Sequence, residues 1–155
     1  MNRGVRRFLG LAAGLALLPW GGEASAAGPD RAAPTECAPG EPCACSGAVA
    51  CERTCVPDPK RPGKGCDFTC AGPGSCTFHC PGGRCTSRST GAGATELTCE
   101  GGSCTMVCAG VAACDLNDCK HGCKLVCSGA GVCANSCTGP GCSCKGRNCE
   151  EEPVS

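Results

Sequence analysis

CDFTCAGPGSCTFHCPGGR (66–84), CTSRSTGAGATELTCEGGS (85–103), CTMVCAGVAACDLNDCKHG (104–122) and CKLVCSGAGVCANSCTGPG (123–141) follow one another without a gap. Four copies of a 19-residue unit stand end to end. A strict internal period of this length marks a repeat architecture, in which each unit buries its apolar face only against its neighbours.

Each block holds two five-residue segments at equivalent positions, of the form Cys-x-Φ-x-Cys or a variant of it. Cys66-Asp67-Phe68-Thr69-Cys70, Cys76-Thr77-Phe78-His79-Cys80, Cys104-Thr105-Met106-Val107-Cys108 and Cys123-Lys124-Leu125-Val126-Cys127 are examples. The apolar residue sits two positions from each cysteine, and period two is one face of a β-strand. On a helix the central residue would point away from both cysteines. Five residues between glycine-bearing linkers are also too few for a stable helix. The linkers alternate between five residues (AGPGS, TGAGA, AGVAA, SGAGV) and four (PGGR, EGGS, CKHG, TGPG). Glycine there suits tight turns.

Outward from these blocks the period weakens. Residues 142–149 open a partial repeat. Stepping back 19 from Cys66 lands on Gly47, so a degenerate repeat is expected over 47–65, its first strand ending at Cys51. Its second half, Pro57 to Arg61, carries two prolines and reads as a loop. The repeat domain is therefore expected over 43–149. Residues 27–42 form a flexible Pro/Ala-rich lead-in, and 150–155 an acidic tail.

The strand pattern predicts which cysteines meet. If the two strands of a block run in opposite directions, the end of the first faces the start of the second. This gives Cys70–Cys76, Cys108–Cys114 and Cys127–Cys133 as inner bridges. The same reasoning gives Cys66–Cys80, Cys85–Cys99 and Cys123–Cys137 as outer bridges, with Cys104 reaching Cys119 because residue 118 is Asp. In the second block the inner positions are Ser89 and Thr95, so both partners are missing together. A bond within one strand is excluded, because Cys66 and Cys70 would lie about 13 Å apart, beyond the ~7 Å reach of a disulfide. Nested bridges of this kind would contribute about 2 kcal/mol each at the inner position and about 3 at the outer. The pattern leaves Cys37, Cys43, Cys45, Cys51, Cys55, Cys142, Cys144 and Cys149 unassigned. They sit at the ends, where a repeat stack needs caps.

These features give an all-β fold class: a small disulfide-rich β-solenoid with a 19-residue coil and two short strands per coil. The alternative is a meander of disulfide-bridged hairpins in one sheet. A single sheet would leave Phe68, Phe78, Leu97, Met106, Leu116 and Leu125 on an uncovered face. In a solenoid two sheets cover each other, at the cost of approaching closer than the usual ~10 Å.

Composition fixes the class of protein. Arg3, Arg6 and Arg7 precede an apolar run from Phe8 to Leu18, and Ala24-Ser25-Ala26 fits a cleavage site, so residues 1–26 read as a signal peptide. All 22 cysteines lie in residues 27–155, an even count that allows complete pairing. Such density in a short exported chain is a disulfide scaffold. Beyond the signal only Phe68 and Phe78 are aromatic, so crosslinks must replace much of a conventional core. Lys+Arg and Asp+Glu balance at 14 each. No basic stripe supports nucleic-acid binding, and the processed chain holds no membrane span.

The outward strand positions are expected to be Asp67 and Thr69, Thr86 and Arg88, Thr105 and Val107, Lys124 and Val126 on one sheet. On the other they are Thr77 and His79, Glu96 and Thr98, Asp115 and Asn117, Ala134 and Ser136. No column repeats one chemistry. The architecture is similar to disulfide-bridged insect antifreeze solenoids, but their regular Thr-x-Thr arrays are absent, which disfavours ice binding. The recurrent Asp of calcium-binding nonapeptide solenoids is absent too. Over residues 43–149 the chain resembles exported bacterial Cys/Gly-repeat proteins of uncharacterised role, a resemblance that implies no activity.

No catalytic, cofactor or metal residue stands out. His79 and His121, the only histidines, read as solvated surface residues. The rival to a scaffold is thiolate metal sequestration of the metallothionein type. Cys43-Ala44-Cys45 and Cys142-Ser143-Cys144 have C-x-C spacing, and soft thiolates bind zinc or copper(I). Export and the strand-register spacing of the other cysteines favour the scaffold. The loop Pro57 to Lys64 is the main irregular protrusion, either a partner-contact site or a tolerated insertion. The sequence thus points to a non-enzymatic protein, secreted or periplasmic. Its role is structural or adhesive, with a surface protein or polysaccharide as the kind of partner that fits.

Overall fold

The computed structural model describes residues 35–151. The expected signal peptide (1–26) lies outside the described residues. Thirteen strands follow in order: β1 Glu36–Cys37, β2 Pro42–Ser46, β3 Cys51–Cys55, β4 Asp67–Ala71, β5 Cys76–His79, β6 Thr86–Ser89, β7 Thr95–Thr98, β8 Thr105–Cys108, β9 Cys114–Asn117, β10 Lys124–Cys127, β11 Cys133–Asn135, β12 Ser143–Gly146 and β13 Cys149–Glu151. There is no helix among the described residues. Odd strands form a seven-stranded sheet in the order β1-β3-β5-β7-β9-β11-β13. Even strands form a six-stranded sheet, β12-β10-β8-β6-β4-β2.

Every neighbouring pair is parallel, and the repeat blocks stack residue on residue. Phe68 pairs with Ser87, Ser87 with Met106, and Met106 with Leu125, each 19 positions on. Consecutive strands thus lie in opposite sheets, and in-sheet neighbours come from successive coils. This is the β-solenoid and not the meander, which would need antiparallel neighbours. Period-two alternation sends Phe68, Phe78, Leu97, Met106, Leu116 and Leu125 inward, and none is more than 1% exposed. Phe68 stacks on Phe78 with ring centroids 4.5 Å apart. Burying each such side chain contributes about 1.5–3 kcal/mol.

The inner column of the odd sheet turns polar away from the middle. On the odd sheet the column runs Arg53, Phe78, Leu97, Leu116, Asn135. On the even sheet Cys43 and Cys144 take the positions next to Phe68 and Leu125. At each end a cysteine thus replaces the apolar residue, and a bridge closes the stack where a further coil would have covered it. Ser87 Oγ and Asn135 Oδ1 are buried without a hydrogen-bond partner among the described residues, so the core gives up some stability at these two positions.

The two sheets do approach closely. Across the bridges Cα atoms lie between 5.7 and 6.5 Å apart, so the sandwich is pinched at both rims while Phe68 and Phe78 fill its middle. The turns stack as tightly. A Cβ on Gly129 would collide with the carbonyl of Gly110, one on Gly110 with that of Gly91, and one on Gly91 with that of Gly72. Glycine is required in this column because backbone from the next coil occupies the space a side chain would need.

The ends of the repeat differ from the expected boundaries. Cys43, not a residue of a 47–51 strand, pairs in register with Phe68, and Cys51 pairs with Cys76. The stretch from Cys55 to Cys66 is six residues longer than its equivalent from Cys80 to Cys85, which displaces any 19-residue step back from Cys66. The solenoid also starts before residue 43, since β1 pairs with β3 through Cys37 and Cys55. Residues 36–42 are therefore not a flexible lead-in. At the other end Glu150 and Glu151 continue β13 and pair with Ala134 and Asn135.

Candidate functional site

The sulfur columns along the two rims dominate the chemistry of the molecule. All cysteines are bonded, and none is free. At one rim the end of each even strand meets the start of the next odd strand. Cys45–Cys51, Cys70–Cys76, Cys108–Cys114 and Cys127–Cys133 are bridged there, and Cys144–Cys149 closes the last coil. The inner pairs read from the spacing are thus the ones formed.

The outer pairs are not those expected. Cys80 bonds Cys85 rather than Cys66, and Cys99 bonds Cys104 rather than Cys85. Cys119 bonds Cys123 rather than Cys104, and Cys137 bonds Cys142 rather than Cys123. Cys66 instead reaches back to Cys55, and Cys37 bonds Cys43. The reason is the climb of the coil. A hairpin returns to its starting level, whereas a solenoid coil ends one rung up, beside the first residue of the next coil. A four-residue turn places Cys80 and Cys85 with Cα atoms 6.3 Å apart. All bridges therefore close small local loops, separated by 4 to 11 positions in sequence, and none is nested. Each contributes about 2 kcal/mol on the chain-entropy estimate. Asp118, at φ 53°, absorbs the one-residue offset that brings Cys119 into the column.

One rung is built differently. Ser89 Oγ and Thr95 Oγ1 lie 2.9 Å apart, both side chains fully buried. A hydroxyl pair thus occupies the place of a disulfide, and each satisfies the other.

The bridges also touch one another. The sulfurs of Cys80, Cys85 and Cys104 lie within 4.8 Å of each other, as do those of Cys99, Cys104 and Cys123, of Cys108, Cys114 and Cys133, and of Cys119, Cys123 and Cys137. Cys123 Sγ is 3.7 Å from Cys99 Sγ, and Cys149 Sγ is 4.0 Å from Cys127 Sγ. In each of the four triads, two sulfurs form a bridge and the third belongs to another coil. As disulfides these sulfurs offer no thiolate to a metal.

The broad faces are polar and unlike. The odd sheet presents a column of Glu52, Thr77, Glu96, Asp115, Ala134 and Glu150. His79 Nε2 lies 3.2 Å from Glu52 Oε1, and Asn117 donates from Nδ2 to Glu96 Oε1 at 2.9 Å. The even sheet exposes Arg88, Lys124 and Lys145 together with one carboxylate, Asp67. Burial first, and Glu96 beside it second, raise the Asp115 carboxyl above its ordinary range. Its folded pKa exceeds the unfolded one, so the folded form binds the extra proton between the two values. Stability falls as pH rises through that window, and the cost persists at neutral pH. Asp115→Asn is therefore expected to raise the denaturation midpoint slightly at pH 7. The gap to wild type should close as pH falls towards 3.8, the unperturbed value. Guanidinium melts of both proteins across that range check this, and a gap independent of pH would contradict it.

His121 lies exposed in the turn before Cys123, and His79 is half-buried at an outward position. They belong to separate places and form no joint site. The Pro57–Lys64 loop is anchored rather than loose. Arg61 pairs with Asp58 at 3.6 Å, and Arg84 donates to the Gly63 carbonyl at 3.0 Å. Among the described residues no helix is long and apolar enough to cross a membrane.

No protein-family model, curated protein or solved structure matches this chain.

Proposed function

We propose that this chain is a non-enzymatic, exported, disulfide-braced repeat protein with a structural or adhesive, protein-interaction role at the cell surface or in the medium. The observation that carries the reading is the complete pairing of 22 cysteines into bridges that hold two narrow sheets together. Such pairing persists in oxidising compartments, extracellular or periplasmic, and accords with the signal peptide read over residues 1–26. Two further features support a binding or structural role. The scaffold is short of apolar core and rigid through crosslinks, and its broad faces differ in charge, carboxylates on one and mainly cations with a single carboxylate, Asp67, on the other.

The test is mass spectrometry of secreted, unreduced protein alkylated under denaturing conditions, with metal analysis of the same sample. The expected result is no alkylated cysteine, no stoichiometric metal, and salt-sensitive binding of the pure protein to cell-surface protein or polysaccharide. Several free thiols with bound zinc or copper would replace this reading by metal sequestration.

A further inference from the structure

The outer rim is a continuous run of sulfur. From Cys137 the contacts lead to Cys119 and Cys123, from Cys123 to Cys99 and Cys104, and from Cys104 to Cys80 and Cys85, each group within 4.8 Å. Cys123 Sγ lies 3.7 Å from Cys99 Sγ of a separate bridge, the separation of atoms already touching. Only the C-terminal end of this run reaches solvent. Cys137 and Cys142 are partly exposed, whereas Cys80, Cys85, Cys99, Cys104, Cys119 and Cys123 are at most 1% exposed.

We propose that this column is a thiol-exchange track, along which a thiol generated at the Cys137–Cys142 bridge moves inward by successive disulfide exchange. The opening step needs a dithiol reductant, which is oxidised to its own disulfide and leaves thiols on Cys137 and Cys142. Cys137 thiolate then attacks Cys119, forming Cys119–Cys137 and expelling Cys123 thiolate. Cys123 attacks Cys99, forming Cys99–Cys123 and expelling Cys104. Cys104 attacks Cys80, forming Cys80–Cys104 and expelling Cys85. Each exchange makes one S–S bond and breaks one, with no net oxidation, and the proton follows the expelled thiolate. Attack requires a thiolate close to a disulfide sulfur and in line with the bond it breaks; the sulfurs of each step lie within 4.8 Å of one another, and rotation of the attacking side chain supplies the alignment. Apolar burial holds the thiolate fraction low, so exchange quickens as pH rises. The function is redox buffering. A reductive hit at the exposed end becomes an inner thiol and a shifted set of bridges, and the stack stays crosslinked.

The other rim supplies a control. Its sulfurs touch at Cys127 and Cys149 and among Cys108, Cys114 and Cys133, but the Ser89–Thr95 rung interrupts them. A thiol started there cannot pass to Cys70 or Cys76.

Cys142→Ser tests the track without a reductant, because it leaves Cys137 as a thiol in an otherwise oxidised chain. The full-length variant is incubated at pH 8, quenched in acid, alkylated under denaturing conditions and digested unreduced. The expected result is alkylation spread over Cys137, Cys123, Cys104 and Cys85. Roughly three-quarters should lie away from Cys137, the even split among four comparable positions. Peptides joined through Cys99–Cys123 and Cys80–Cys104 should accompany it. Alkylation confined to Cys137, with Cys80–Cys85 and Cys99–Cys104 intact, would overturn the proposal. Adding Cys99→Ser and Cys104→Ser should confine the thiol to Cys137 and Cys123, and label at Cys85 in that protein would also overturn it. Cys144→Ser, which starts the thiol at Cys149, should place no label on Cys70 or Cys76. Label there would mean scrambling through unfolding instead of passage along a column. Should Cys142→Ser fail to fold, wild-type protein treated with substoichiometric dithiothreitol gives the same reading. Thiols at Cys142 and Cys85 support the track, and thiols only at Cys142 and Cys137 refute it.

Discussion

Phe78→Ala is expected to destabilise the protein by about 3–5 kcal/mol, the usual cost of deleting a buried aromatic. Phe78 is fully buried, and its ring stacks on Phe68 across the narrow sandwich. The bridges on either side fix the backbone at both rims, so the surroundings cannot collapse into the space left behind. The cavity therefore remains, and the cost sits at the high end of the range. Guanidinium denaturation with the disulfides intact measures it. Thr77→Ala, one residue away on the outer face, should change stability by less than about 0.5 kcal/mol. Equal effects from the two would contradict the inward placement of Phe78.

Joining Ser89 and Thr95 by a disulfide is the largest expected gain. Ser89→Cys with Thr95→Cys should add about 1–2 kcal/mol. This combines roughly 2 kcal/mol from closing a short loop with the loss of one buried hydroxyl pair worth about 1 kcal/mol. The equivalent bridges above and below have Cα separations of 6.0 and 6.5 Å, and the two hydroxyls already meet at 2.9 Å. A mass lower by two hydrogens and a raised denaturation midpoint are the expected results. Two free thiols in the purified variant would show that the rung lacks bridge geometry.

Much of this protein could be read from residue spacing. Cys-x-Φ-x-Cys segments between glycine turns specify strands, because only a period of two puts the apolar residue and both cysteines on one side. The simultaneous absence of cysteine at 89 and 95 pointed to the rung that the hydroxyl pair now fills. The inner bridges follow from the same reasoning, since a strand–turn–strand unit places Cys70 beside Cys76 whether the chain goes on to climb or to fold back.

Other features escaped it. The outer pairing depends on which rung the chain has reached after one coil, and the spacing of cysteines is the same in a closed hairpin and a climbing coil. Six extra residues after β3 broke the 19-residue count, so Cys43 and Cys45 could not be aligned with Phe68 and Cys70 until the sheet register showed them together. The end bridges Cys37–Cys43 and Cys144–Cys149 use cysteines at core positions, which no regular repeat announces.

By itself the sequence determined the strands, the turn positions, the inward apolar residues and the oxidised scaffold, because these follow from local periodicity and composition. Only the tertiary structure decided the outer disulfide partners, the caps and the contact between bridges of successive coils. Those depend on the rise of the chain per coil, a distance between residues that the sequence places 19 or more positions apart, and no local pattern encodes it.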